Sequence, residues 1–159
     1  MLEDAMSRDP SYQWTAQEIE ERLGCSTVVF PRDRLLQAED IAKMRNVGIT
    51  RIEVCALGNP GHLDIYNQAH IREIVSECEG QGVSIVSVHS PGFLYNSDDE
   101  DNRKKAVADG VVAAKVADDM GAGVMVCHFS TEDQSEKSVV EMLERLEGHS
   151  IKLAIENGR

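Results

Sequence analysis

The sequence predicts an α/β fold with a parallel sheet, and three observations carry that prediction. Short runs rich in β-branched residues alternate with segments of helical apolar spacing. Glycine sits where most of those helices should end. The strand-like runs are nearly continuously apolar, as expected for a sheet covered on both faces. Strands that alternate with helices of this length require right-handed crossovers between parallel neighbours.

Each element has its own justification. Thr15, followed three residues on by Glu18, has the capping-box pattern and predicts a short helix through Arg22. Cys25 to Phe30 is β-branched, ends at Pro31 and reads as the first strand. Leu35 to Asn46 reads as a helix with Leu36, Ile41 and Met44 on its inner face, and Gly48 stands at its C-terminal cap position. Ile49 to Leu57 is the second strand, and Gly58-Asn59-Pro60-Gly61 is a loop by composition. Asp64 to Glu79 carries Ile71, Ile74, Val75 and Cys78 at i, i+3, i+4, i+7, and Gly80 and Gly82 end it. Val83 to Val88 is the third strand and leads into His89. Asn102 to Met120 is a long helix with Val107, Val111 and Ala114 inward. Val124 to Cys127 is the fourth strand and leads into His128. Glu136 to Leu146 is the next helix, and Ile151 to Ile155 is the fifth strand, tipped by Glu156 and Asn157.

Composition narrows the function. The net charge of −12 argues against a nucleic-acid partner, since such proteins carry a basic face. No apolar run is long enough to span a bilayer, and Met1 to Met6 lacks the basic and apolar regions of a signal peptide. The four cysteines form no C-x-x-C pair and read as buried reduced thiols, which points to the cytoplasm. His62, His70 and His149 read as loop or helix-surface residues. The acidic run Ser97 to Asp101 lacks EF-hand spacing and reads as a solvated helix N-terminus.

Two architectures fit a parallel α/β chain, an open doubly wound sheet and a (β/α)8 barrel. A dinucleotide fold should have a glycine-rich turn after its first strand, but Pro31-Arg32-Asp33-Arg34 has no glycine. Polar residues recur instead at several strand ends, at His89, His128 and Glu156, which suits a barrel better.

Val86-Ser87-Val88-His89-Ser90-Pro91, Arg103 opening an Ala-rich helix, Met120 to His128, and Leu153-Ala154-Ile155-Glu156-Asn157 resemble the xylose isomerase-like TIM-barrel superfamily. Cys25-Ser26-Thr27 and Ile52-Glu53-Val54 resemble its first two strands. That superfamily holds sugar isomerases and epimerases and the endonuclease IV type of apurinic nuclease. The resemblance implies a partial TIM barrel: parallel (β/α) units, with about five of eight strands present in residues 23–159, behind a polar lead-in over 1–22. Later strands of the family carry further ligands, so a C-terminally truncated chain or a natural half-barrel is expected.

The resemblance also assigns roles. Glu156 matches a metal ligand that in epimerases works near the transferred proton; a surface glutamate at a frayed end is the alternative. His128 and His89 match metal ligands of the nuclease branch or substrate contacts of the sugar enzymes, and a satisfied core histidine is the alternative for His128. Pro91 forces the chain out of the strand and should leave His89 at a rim. Asn157 would touch substrate or orient Glu156, or serve only the turn before Gly158. Glu53, inside a strand, needs a partner and is expected to support the site or pair with Arg51 or Arg32.

The expected activity is therefore that of a sugar or sugar-phosphate isomerase or epimerase using a divalent cation (Mn, Mg or Zn), with Glu156 as ligand and base. An apurinic nuclease is the alternative, and the charge and the loop after His89 argue against it. A third expectation is a non-catalytic half-barrel, inactive by itself, that self-associates or pairs with a second half, because five parallel strands leave open edges and an uncovered, apolar inner face.

Overall fold

A computed structural model describes residues 13–129 and 133–157. Helix α1 (Ala16–Arg22) opens as the sequence predicts: the Thr15 side chain accepts from Glu18 N–H while Glu18 reaches back to Thr15. Five strands follow, β1 (Cys25–Ser26), β2 (Arg51–Cys55), β3 (Ser84–His89), β4 (Val124–Phe129) and β5 (Lys152–Asn157). The helices between them are α2 (Ala38–Asn46), α3 (Gln68–Gln81), α4 (Glu100–Asp119) and α5 (Asp133–Arg145). The strands form one parallel sheet in the order β1-β2-β3-β4-β5. Sequence order equals spatial order, as in successive staves of a barrel, and the described sheet is not closed.

The core lies between the sheet and its helices. Ile52, Val54, Val88, Met125 and Cys127 point from the strands into it, against Ile41, Ile74, Val107, Ala114 and Met142 from the helices, all buried. Gly82 ends α3 at φ +65, and its N–H and that of Val83 return to the carbonyls of the last turn. Asp99 caps α4, with Glu100 and Asp101 in its first turn, so the acidic run is a helix N-terminus as expected.

Several boundaries differ from the sequence reading. The first strand is two residues long and gives way to a 3-10 turn over Thr27–Val29. Ser26 caps that turn through Val28 N–H, and Thr27 is drawn into the interior, where its Oγ1 accepts from Cys55 N–H. Helix α3 starts at Gln68 because Asn67 caps it through His70 N–H. His62 and His70 are buried, not on the surface: each meets a backbone carbonyl of the segment between β1 and α2, Pro31 at 2.9 Å and Leu36 at 2.9 Å. The two imidazoles replace water there as donors to these buried carbonyls.

The open face of the sheet carries polar groups beside apolar ones. Glu53 lies on it and accepts from Ser87 Oγ at 3.2 Å, so its partner is neither Arg51 nor Arg32. Ser87 is level with Val124, which is level with Lys152. The apolar surplus is on the other side of the free β5 edge, where Ile155, Leu143 and Val140 are half exposed.

Helix α4 packs on α5 at a point that tolerates no side chain. A Cβ at Gly110 would stand 2.5 Å from the Tyr95 hydroxyl and 2.9 Å from Met142 Cε. Gly110→Ala is therefore expected to destabilise the fold by about 1–3 kcal/mol through overpacking, although alanine favours helix; thermal or urea unfolding measures it.

Candidate metal centre at the strand ends

Three consecutive strands place three ligand-type side chains at one point. His89 ends β3, and His128 and Glu156 stand opposite one another in β4 and β5. His89 Nε2 and His128 Nε2 are 2.9 Å apart. Glu156 Oε2 lies 3.4 Å from the first and 3.5 Å from the second. His89 is buried, whereas His128 and Glu156 face the open side.

The ring of His89 is held by its other nitrogen. Nδ1 lies 3.1 Å from the Ser90 carbonyl, which can only accept, so Nδ1 carries the proton and Nε2 presents a lone pair to the cluster. His128 then donates from Nε2 to His89 Nε2. A ligating histidine oriented by a backbone carbonyl is the usual support for a metal-bound imidazole.

The triangle of atoms suits one ion. Points separated by 2.9, 3.4 and 3.5 Å lie on a circle of radius ~1.9 Å, so a single cation with bonds of roughly 2.0–2.2 Å would reach all three atoms once His128 carries its proton on Nδ1 instead of Nε2. Two imidazoles and a carboxylate suit Zn²⁺, Mn²⁺ or a related divalent ion, and three protein ligands leave positions free for water or substrate. The cysteines take no part. Burial pushes the Cys127 thiol up to about 11, so it stays protonated, and Cys55 is raised by the same cause.

The structure brings His89, His128 and Glu156 together, and His89 is buried in the wall rather than standing at an exposed rim. Asn157 belongs to β5, level with Phe129; its side chain lies outside the described part of the structure. Two supports were not read from the sequence. One is the Ser90 carbonyl; the other is the level of Cys55, which stands beside His89 across the β2–β3 pair and brings the β2 loop against the centre. Only the pairing register reveals either.

Fold and site together define a parallel (β/α) barrel segment with a metal-type ligand set at the C-terminal ends of its strands. Residues 41–158 match the family profile of the xylose isomerase-like TIM barrel, and the chain belongs to that family. Its backbone is similar to a D-tagatose 3-epimerase-like protein (TM-score 0.68, 22% identity, 84% of this chain and 52% of the other). It is also similar to a xylose isomerase domain protein from Planctomyces limnophilus (TM-score 0.56, 16% identity, 85% and 52%). The chain spans about half the length of both. No curated protein matches it. Among the described residues no helix is long and apolar enough to cross a membrane.

Proposed function

We propose that this chain carries the metal-binding part of a sugar isomerase or epimerase site. The supporting observation is the convergence of His89, His128 and Glu156 from three successive strand ends. A divalent cation held there would bind the adjacent hydroxyl and carbonyl oxygens of the substrate and polarise the carbonyl. His89, fixed by Ser90, holds one side of the site. Glu156 has its second carboxylate oxygen free to take the proton from the carbon next to the carbonyl and return it. His128, exposed between them, orients a substrate hydroxyl or completes the ligand set.

The test is exchange of deuterium from D₂O into a ketose by the chain loaded with Mn²⁺. Exchange that is lost in Glu156→Gln while metal remains bound supports the assignment of the base. Exchange unchanged in that variant sinks it, and no exchange at all in the loaded chain reduces the reading to metal binding alone.

Metal uptake should depend on pH with a definite sign. Imidazole binds metal only when deprotonated, so Zn²⁺ affinity is expected to fall as the pH is lowered. Competition against a chromophoric chelator between pH 5 and 8 measures the slope.

The paired imidazoles favour one second reading, an apurinic nuclease, whose clustered metals would activate water on a phosphodiester. The charge of −12 opposes it. Binding to an abasic duplex with a measurable salt slope would support it.

We also propose that the β5 edge is covered by association, either with a second copy or with further βα units. Ile155, Leu143 and Val140 beside an unpaired strand favour this. Light scattering across a concentration series should show self-association of this chain if a second copy is the cover.

A further inference from the structure

The end of the sheet opposite the metal centre carries an apolar groove of about 550 Å³, where β1 begins and the chain enters β2. Ile19 of α1 and Leu23 just after it form one wall, and Val47 and Ile49, between α2 and β2, form the other. We propose that this groove binds a single hydrocarbon chain, the alkyl, acyl or prenyl part of a small uncharged molecule. The proposal does not depend on the isomerase or epimerase reading, because the groove shares no residue with the metal centre.

The fold leaves this apolar surface uncovered. Ile19, Leu23 and Val47 are 43, 65 and 75% exposed, and all three line the same groove. Contiguous apolar surface of this kind marks a binding site, whereas single exposed aliphatic side chains need no explanation. Helix α1 is seven residues long, too short to persist on its own helical propensity. Its stability therefore depends on what its apolar side meets, and a chain lying in the groove would bury Ile19 and Leu23 against Val47 and Ile49.

The walls are built before any ligand arrives. On the far side α2 ends at Asn46, and the N–H groups of Gly48 and Ile49 return to the Arg45 and Met44 carbonyls at 3.0 Å each. Gly48 takes φ +89, and a Cβ there would meet nothing within 4 Å, so no side chain fills the groove at that point. On the near side Gly24 lies tight against β2: a Cβ there would stand 3.2 Å from the Arg51 carbonyl oxygen. That contact fixes where the chain leaving α1 meets the sheet. A preformed groove loses little ordering entropy on binding.

Chemistry and size select the ligand. No Asp, Glu, Lys, Arg or His side chain lines the groove, and its polar side chains are Cys25 and Thr50. A charged group placed there would lose its hydration without gaining a partner. An anionic head group at the mouth would also face a chain of net charge −12. A docking helix is too large for the space: with a diameter of about 10–12 Å and a pitch of about 5.4 Å, one turn takes roughly 400–600 Å³. The groove would hold a single turn of it. A hydrocarbon chain several methylenes long fits the same volume and uses the contacts that the walls offer.

The test is titration of the ¹⁵N-labelled full chain with the straight-chain alcohols from 1-pentanol to 1-octanol, reading the amide signals of Gly24, Gly48 and Thr50. The expected result is a saturable shift of these signals, with affinity rising about two- to fourfold for each added methylene. Octanoate, with the same chain and an anionic head, should bind several-fold more weakly than 1-octanol. Ala16→Trp, which fills the groove from α1, and Leu23→Gln, which makes one wall polar, should each weaken 1-octanol several-fold. Ala16 and Leu23 are exposed, and the same spectra report whether the fold is intact. Affinity independent of chain length, octanoate binding as tightly as 1-octanol, no shift at these amides, or binding unchanged in both variants overturns the proposal. Shifts of the same amides on raising the protein concentration without alcohol would assign the groove to a second copy and overturn it as well.

Discussion

Replacing His89 by alanine is expected to lower Zn²⁺ affinity by more than 100-fold. Losing an outer partner of a metal ligand typically costs 10–100-fold, and His89 is itself one of three ligand atoms. It is also the anchored one: its ring is buried and its Nδ1 proton is held by the Ser90 carbonyl, so its lone pair is aimed before the ion arrives. His128 and Glu156 stand on the exposed side and have no second hydrogen bond that fixes them among the described residues. Glu156→Gln keeps the shape and removes the charge, so it should also weaken binding, but by less than His89→Ala. Chelator competition ranks the two variants. Equal affinity in both of them and in the unaltered chain would mean that the triangle is a hydrogen-bonded cluster and not a metal centre.

Arg103→Met is expected to destabilise the fold by about 2–3 kcal/mol, below the usual range for breaking a buried pair because its carboxylate partners are partly exposed. Arg103 is 1% exposed near the start of α4. It donates to both carboxylate oxygens of Glu100 at 2.8 and 3.0 Å, to Glu141 at 2.8 Å and to Ser138 Oγ at 3.2 Å. Ser138 in turn donates to the Tyr95 carbonyl at 2.6 Å. One guanidinium thereby ties the loop after His89 to the helix after His128. The effect should fade in acid. Hydrogen bonds from Arg103 and then Lys137 hold Glu100 down to about 2 against an ordinary 4.5. Because the folded value is the lower one, the stabilisation is fully present above about pH 4.5 and is lost as the pH falls towards 2. The gap between the melting curves of the two proteins should be smaller at pH 3 than at pH 7. A constant gap would assign the loss to packing rather than to charge.

Much of the fold was legible because its signals are local. The stripe Ile71, Ile74, Val75, Cys78 depends only on helical spacing, and Asp99 at the head of an acidic turn depends only on capping. The first strand was overread because Val28 and Val29 favour extended backbone while Ser26 and the buried Thr27 turn the chain. His62 and His70 were misplaced for a related reason. A histidine in a polar stretch looks solvated until tertiary packing brings a buried carbonyl to each ring.

The sequence by itself determined the parallel α/β class, the succession of five strands, and the fact that three of them end on His89, His128 and Glu156. Spacing and residue type suffice for those, since period and cap chemistry act within a few residues. Only the tertiary structure decided that the three side chains share one point. Convergence depends on the register that sets His128 opposite Glu156 and on the Ser90 carbonyl that turns His89 towards them. The tertiary structure alone also decided that Arg32 and Asp33 line a braced cleft, because His62 and Gly61, some thirty residues away along the chain, hold the backbone of Pro31 and Arg32 in place. Such contacts are fixed by the packing of distant segments, on which neither periodicity nor local propensity bears.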